Sequence, residues 1–214
     1  GSSIEEYAEI VRLFDQTSLP AMEINISCPN VKKGGAAFGN DPDMAARVVE
    51  ACRASTTKPL IVKLSPNQTD IAEGARRVIE AGADALSAIN TMMGMQIDIH
   101  SRTPTLGNNQ GGLSGPAIKP IALLKVHQVY QVAKLHNIPI IGLGGIASAE
   151  DAIEFFLAGA SMVAIGTAIA KDPLLVKKVN AGIEQYLKAN GLTSVSQLTG
   201  QLALNTDTVL CGSV

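Results

Sequence analysis

The stretch IPIIGLGGIASAEDAIEFFLAGASMVAIGT, residues 138–167, decides the fold class of this chain. It opens with a short apolar run that ends in Gly144 and Gly145. A helical pattern over 149–158 follows and stops at Gly159, and a second apolar run, MVAI, precedes Gly166. A strand, a helix and a second strand in this order predict a βα unit with parallel strands.

The same alternation extends outward over the rest of the chain. We predict helices over 4–14, 41–54, 69–81, 117–136 and 173–189, and strands over 21–27, 59–64 and 83–90. Asp41 followed by Pro42 is typical of a helix start. Together with the central stretch, this gives about five strands separated by helices. We therefore predict an α/β fold with a parallel sheet.

Two α/β architectures compete, an open doubly wound sheet and a (β/α)8 barrel. Doubly wound folds place their glycine-rich turn after the first strand, whereas barrels bind phosphate after the last two strands, where both glycine turns lie here. We predict a TIM-barrel type with only about the last five strands present, in a single partial domain over 1–214. Since a complete barrel takes ~250 residues, we expect earlier strands to precede Gly1. The chain alone should expose two sheet edges, so we expect poor solubility or assembly with a complementary piece, and no turnover by the isolated monomer.

Residues 91–116, TMMGMQIDIHSRTPTLGNNQGGLSGP, are too long for an ordinary strand-to-helix connection. Insertions after a barrel strand are usually lids or binding loops, so we predict an inserted active-site loop region here.

Composition excludes several classes of partner. The net charge is −2, 17% of residues are charged, and no basic run stands out, which argues against nucleic acid or an anionic membrane as a partner. No apolar run approaches the ~18 residues of a membrane span. Three widely spaced cysteines form neither a disulfide framework nor a metal site, so we expect no metal and a cytoplasmic location.

The two glycine turns are candidates for a phosphate site. Glycine lets the backbone approach a ligand closely, and a following helix offers unpaired N–H groups. Two such turns side by side favour a phosphate cradle. The alternative is a pair of tight turns that need glycine for geometry alone.

The run NISCPN at 25–30 ends the first strand. Glu23, Asn25 and Ser27 alternate onto one face, where polar residues inside a barrel indicate a polar ligand. Cys28 lies at the strand's carboxyl end, and its thiol, with an ordinary pKa of ~8.5, can act as a base. A buried structural cysteine remains the alternative.

Lys63 and the pair Asn90-Thr91 lie on the next two strands. Lys63 can neutralise negative charge that develops on a bound ligand, or pair with Glu23 on the neighbouring strand. Asn90 and Thr91 can bind a polar ring, or simply form a turn.

Several long motifs resemble the signature of the class 1B dihydroorotate dehydrogenases. They are NISCPNVKKGG at 25–35 with FG at 38–39 and DP at 41–42, VKLSPN at 62–67, INT at 89–91, GGLSGPA at 111–117, IGLGG at 141–145 and IGT at 165–167. The order matches the family over nearly the whole chain.

The resemblance implies oxidation of dihydroorotate to orotate with FMN, in which Cys28 removes the C5 proton and FMN accepts the C6 hydride. It implies pyrimidine-binding positions at Asn25, Asn30, Asn90 and Thr91. It implies FMN contacts at Asn25, Lys63, Ile89, Gly115, Gly144, Gly145, Gly166 and Thr167.

The resemblance also implies a homodimer within a heterotetramer, whose iron–sulfur/FAD subunit passes electrons to NAD. One alternative is a reductase similar to dihydropyrimidine dehydrogenase, against which Asn30 and the cysteine-free stretch 31–40 argue. The other is a truncated, non-catalytic fragment of such an enzyme.

Overall fold

The computed structural model describes residues 1–27 and 35–205, the side chains of 35–37 excepted. Its helices are α1 Ile4–Asp15, α2 Gly35–Asn40, α3 Pro42–Arg53, α4 Ile71–Glu80, α5 Lys119–Ala133, α6 Ala149–Ala158 and α7 Leu175–Ala189. Its strands are β1 Met22–Asn25, β2 Leu60–Leu64, β3 Ala85–Ala88, β4 Met92–Gly94, β5 Ile97–Asp98, β6 Thr103–Pro104, β7 Gly111–Leu113, β8 Ile140–Leu143 and β9 Met162–Ala164.

Five strands form one parallel sheet in the order β1-β2-β3-β8-β9. This is the order of the chain, with helices between successive strands, and it confirms the predicted α/β class. The architecture is consistent with part of a (β/α)8 barrel. Within the described residues, β1 and β9 each pair with a single neighbouring strand.

The sheet has one face packed in the apolar core and one face that is partly polar. In β2, Leu60, Val62 and Leu64 are buried, while Ile61 and Lys63 between them are half-buried. Successive side chains of a strand point to opposite faces, so Lys63 projects away from the core. The same alternation in β1 separates buried Met22 and Ile24 from exposed Glu23 and Asn25, and a polar face results.

Local signals fix several helix ends as predicted. The Asp41 carboxylate accepts the backbone N–H groups of Asp43 and Met44 at 3.0 and 3.2 Å, and Pro42 is the first residue of α3. Helix α6 spans Ala149–Ala158, as predicted, and Gly159 ends it with φ of 122°.

The inserted region, which we predicted as an active-site loop region over 91–116, contains regular structure. It contains two antiparallel ribbons, β4 with β7 and β5 with β6, and Met92 pairs with Leu113. Glycine is depleted in β-strands, so Gly111 and Gly112 favour a loop when only the sequence is considered. Pairing with β4 nevertheless makes this segment a strand. In the described ranges no helix is long and apolar enough to cross a membrane.

Candidate functional site

A cavity of about 220 Å³ lies beyond the carboxyl ends of β2, β3, β8 and β9. Its lining includes every predicted cofactor position except Asn25, together with two of the predicted pyrimidine positions. The residues are Lys63, Ile89, Asn90, Thr91, Ser114, Gly115, Ile118, Leu143, Gly144, Gly145, Gly166 and Thr167. Ligands of parallel α/β folds bind at this end of the strands.

The turn after β8 needs glycine. Gly145 has φ of 82°, a left-handed conformation, and a Cβ there would lie 2.8 Å from the carbonyl oxygen of Gly115 and 3.0 Å from Lys119 Cβ. The backbone of this turn therefore lies directly against the end of the inserted region. A Cβ at Gly166 would meet no atom within 4 Å, so the second turn opens onto free space. This cradle fits the phosphate end of a nucleotide-like cofactor, which bare backbone can approach closely.

The inserted region is joined to the turn after β9 by side chains. The Thr167 hydroxyl donates a hydrogen bond to the Ser114 hydroxyl at 2.8 Å, and both residues line the cavity. Ser114 was quoted in a motif, but we did not predict it as a site residue. The bond depends on a ribbon that returns from β4 to β7, which no local pattern indicates.

Three polar side chains from β1, its extension and the end of β3 form a network. The Asn90 amide nitrogen donates to Asn25 Oδ1 at 3.1 Å and to Ser27 Oγ at 2.9 Å. Ser27 is fully buried, and its hydroxyl lies 3.1 Å from the Lys63 carbonyl oxygen, to which it donates. Asn90 Oδ1 in turn accepts the backbone N–H of Thr91 at 2.8 Å. The network fixes the orientation of Asn90 and brings the predicted positions Asn25, Asn90 and Thr91 together.

Asn67 holds the backbone beside this network, although we did not predict it as a site residue. Its amide nitrogen donates to the Thr91 carbonyl at 3.0 Å, and its Oδ1 accepts the Met93 N–H at 2.9 Å. The residue follows the end of β2, and the carboxyl ends of parallel strands meet at one edge of a sheet. That position was the signal that could have identified it.

The Lys63 ammonium lies 3.4 Å from a Glu23 carboxylate oxygen. The ion pair that we predicted as one option is therefore present, and Lys63 also lines the cavity.

A second ion pair supports the turn after β8 from behind. Lys119 Nζ lies 2.6 Å from Asp151 and 3.0 Å from Glu154, and Asp151 also accepts the Ala147 N–H at 2.8 Å. Burial acts to raise the pKa of Asp151, but hydrogen bonds from Lys119 and Ala147 outweigh it and keep that pKa below its ordinary value. The same hydrogen bonds, to Asp151 first and then to Glu154, raise the pKa of Lys119.

Of the three cysteines, Cys52 lies within the residues that the structure describes. Cys52 on α3 is completely buried, and burial raises the pKa of its thiol to about 11, so it is suited to packing rather than chemistry. Cys28, like Asn30 and Cys211, lies outside the described residues. Over 1–27 and 35–205, no three His, Cys, Asp or Glu residues are grouped to hold a metal ion.

Comparison with known proteins gives a consistent set of relatives. A family model described as dihydroorotate dehydrogenase matches residues 1–187. The chain is 53% identical over 205 residues to the dihydroorotate dehydrogenase B (NAD(+)) catalytic subunit of Geotalea daltonii, which covers 95% of this chain and 66% of that protein. Proteins of the same name from Desulforamulus reducens and Geobacter metallireducens are 54% identical over 201 and 55% over 203 residues. Each match covers 94% of this chain, with 65% and 66% of the respective relative. The chain thus spans slightly less than two thirds of the length of these relatives.

Proposed function

This chain belongs to the dihydroorotate dehydrogenase family, and from that premise we propose that it is the flavin-binding part of a catalytic subunit that oxidises dihydroorotate to orotate in pyrimidine synthesis. Enzymes of the family are flavin-dependent oxidoreductases. One observation carries the proposal: a single cavity is lined by two glycine turns, a lysine and the Asn90-Thr91 pair. A cofactor and a small polar ring would thus bind side by side.

FMN is the flavin that we propose for this cavity. When bound, it would supply the acceptor for the hydride that leaves C6 of dihydroorotate. The backbone at Gly144, Gly145 and Gly166, with the Thr167 hydroxyl, would hold its phosphate. Gly115, Lys63 and Ile89 would contact the remainder, with Lys63 as the cation that stabilises negative charge on the reduced ring.

Asn25, Asn30, Asn90 and Thr91 are the positions that we propose for the pyrimidine. Amide and hydroxyl groups can both donate to and accept from the imide edge of such a ring. The bonds from Asn90 to Asn25 and Ser27 support this assignment, because they hold the amides in place before any ligand arrives.

Cys28 is the proposed base. It directly follows Ser27, which belongs to the asparagine network, and it would accept the C5 proton as a thiolate. A thiol at its ordinary pKa is mostly protonated at neutral pH, so proton removal should become faster toward mildly alkaline pH.

The electrons would leave through a second protein. The relatives are named NAD(+)-linked catalytic subunits. We propose an iron–sulfur/FAD subunit as the partner that reaches NAD, with two copies of the catalytic chain forming a homodimer within a heterotetramer.

Orotate binding to the FMN-loaded chain tests the substrate assignment without requiring turnover. We expect orotate to perturb the flavin absorbance saturably, and uracil, which lacks the carboxylate, to bind much more weakly. Asn90→Ala should weaken orotate binding roughly tenfold, since two hydrogen bonds that order the site are lost. Asn180→Ala, an exposed residue of α7, is the matched control.

The outcomes separate the proposals. A preference for uracil would favour the dihydropyrimidine reductase alternative. Retention of FMN with no response to either pyrimidine would contradict the dihydroorotate assignment while leaving flavin binding intact.

A further inference from the structure

Glu23 and Lys63 form an ion pair on the polar face of the sheet. In the strand register Lys63 lies opposite Asn25, whereas Glu23 lies opposite Ile61. The Lys63 ammonium nevertheless reaches the Glu23 carboxylate at 3.4 Å, toward the amino end of β1. Lys63 also lines the cavity at the carboxyl ends of the strands. Its side chain therefore lies between the carboxylate and the cavity.

The surroundings make this pair electrostatically significant. The Lys63 side chain is only 20% exposed and that of Glu23 is 38% exposed, so water screens the pair incompletely. A cation that is mostly removed from water requires a partner, and among residues 1–27 and 35–205 Glu23 is the carboxylate in contact with it. Glu23 therefore sets the net charge that a ligand in the cavity experiences from this face.

We infer that Glu23 is a positioning residue for the cofactor: its carboxylate holds the Lys63 ammonium at the cavity and offsets part of its positive charge. The inference rests on the proposed function, because it assumes a flavin in this cavity. A two-electron-reduced flavin is anionic at neutral pH, whereas the oxidised ring is neutral. A free lysine would favour the reduced form strongly, and a lysine paired with Glu23 favours it less.

The midpoint potential of bound FMN, measured by dye-equilibrated reduction of the whole chain, tests the charge effect. Glu23→Gln keeps the shape and a hydrogen-bond acceptor but removes the negative charge. We expect the equilibrium constant for two-electron reduction to rise about tenfold, which is ~30 mV for a two-electron couple. Glu50→Gln, on the exposed surface of α3, removes the same charge elsewhere and should leave the potential unchanged. Equal potentials in the two variants would overturn the inference.

A double-mutant cycle in urea tests the contact itself and needs no flavin. Glu23→Gln should shift the urea midpoint of unfolding by a certain amount in the unmodified chain. That shift should fall to about half or less when Lys63 is already replaced by methionine, because the pair no longer exists. Additive shifts would overturn the positioning role. Failure of the unmodified chain to bind FMN would instead contradict the proposed function, and the cycle would still decide whether Glu23 holds Lys63.

Discussion

Replacement of Gly145 by alanine tests whether the turn after β8 is built around a missing side chain. Gly145 has φ of 82°, and the added Cβ would lie 2.8 Å from the Gly115 carbonyl oxygen. The same Cβ would lie 3.0 Å from Lys119 Cβ. The turn after β8 and the segment that contains Gly115 and Lys119 must therefore move apart, or the turn must change its backbone conformation.

The magnitude follows from three contributions. The left-handed conformation costs an L-residue ~1–2 kcal/mol. Overpacking against a neighbouring segment typically costs ~1–3 kcal/mol. The stiffer unfolded chain offsets ~0.4–1 kcal/mol. We expect a net loss of about 1–5 kcal/mol in the free energy of unfolding, and the central value of ~3 kcal/mol lowers the urea midpoint by ~1 M at a usual slope for urea.

Two further glycine variants make the result specific. Gly107→Ala lies on the exposed inserted region with no atom within 4 Å of the new Cβ, and it should change neither stability nor FMN affinity. Gly166→Ala also has open space, but Gly166 lines the cavity, so we expect unchanged stability with roughly tenfold weaker FMN binding. If the urea midpoint of Gly145→Ala matches that of Gly107→Ala, the close contact between Gly145 and the Gly115 carbonyl described above is refuted.

Asn67→Ala should weaken orotate binding about tenfold while FMN affinity stays within about twofold, because two hydrogen bonds that position the residues after Asn90 are lost. Titrations that show equal losses of affinity for orotate and FMN would refute this prediction. With a pKa of about 11, Cys52 should react with iodoacetamide at pH 8 about a hundredfold more slowly than an ordinary thiol, and peptide mass spectrometry that finds it labelled early would contradict its burial. Because the pKa of Asp151 is lower in the folded chain, its ionised carboxylate stabilises the fold at pH values above its unfolded pKa of ~3.9. This stabilisation is lost as pH falls through the folded pKa, so the urea midpoint should drop in acid. Asp151→Asn, which leaves Lys119 without this carboxylate, should lower the urea midpoint at pH 7 and flatten its dependence on pH in acid. If that dependence is unchanged, Asp151 is not the group that causes it.

The βα framework could be predicted from sequence because its signals are local. Asp41 with Pro42 and the stop at Gly159 fixed helix ends to the residue. Strand ends were less certain: 83–90 was predicted where β3 spans Ala85–Ala88. The pairing of β4 with β7 was missed because each strand has only three residues, too few to show the alternation that identifies a strand, and a long segment separates them.

The candidate site was predictable in part. Strand-end glycines and asparagines carry a chemical signal, and Lys63, Asn90 and the two glycine turns line one cavity. Asn67 and Ser114 were not predicted, because their contacts are made with backbone or side chains that only the folded inserted region supplies. The roles of Cys28 and Asn30, outside the described residues, remain predictions.

Comparing the binding of FMN and riboflavin, measured by quenching of flavin fluorescence on titration with the chain, tests whether the cavity is a flavin phosphate site. We expect saturable FMN binding with riboflavin at least about tenfold weaker, because the glycine turns at Gly144-Gly145 and Gly166-Thr167 would hold the phosphate that riboflavin lacks. Absence of saturable FMN binding, or equal affinity for the two flavins, would contradict it.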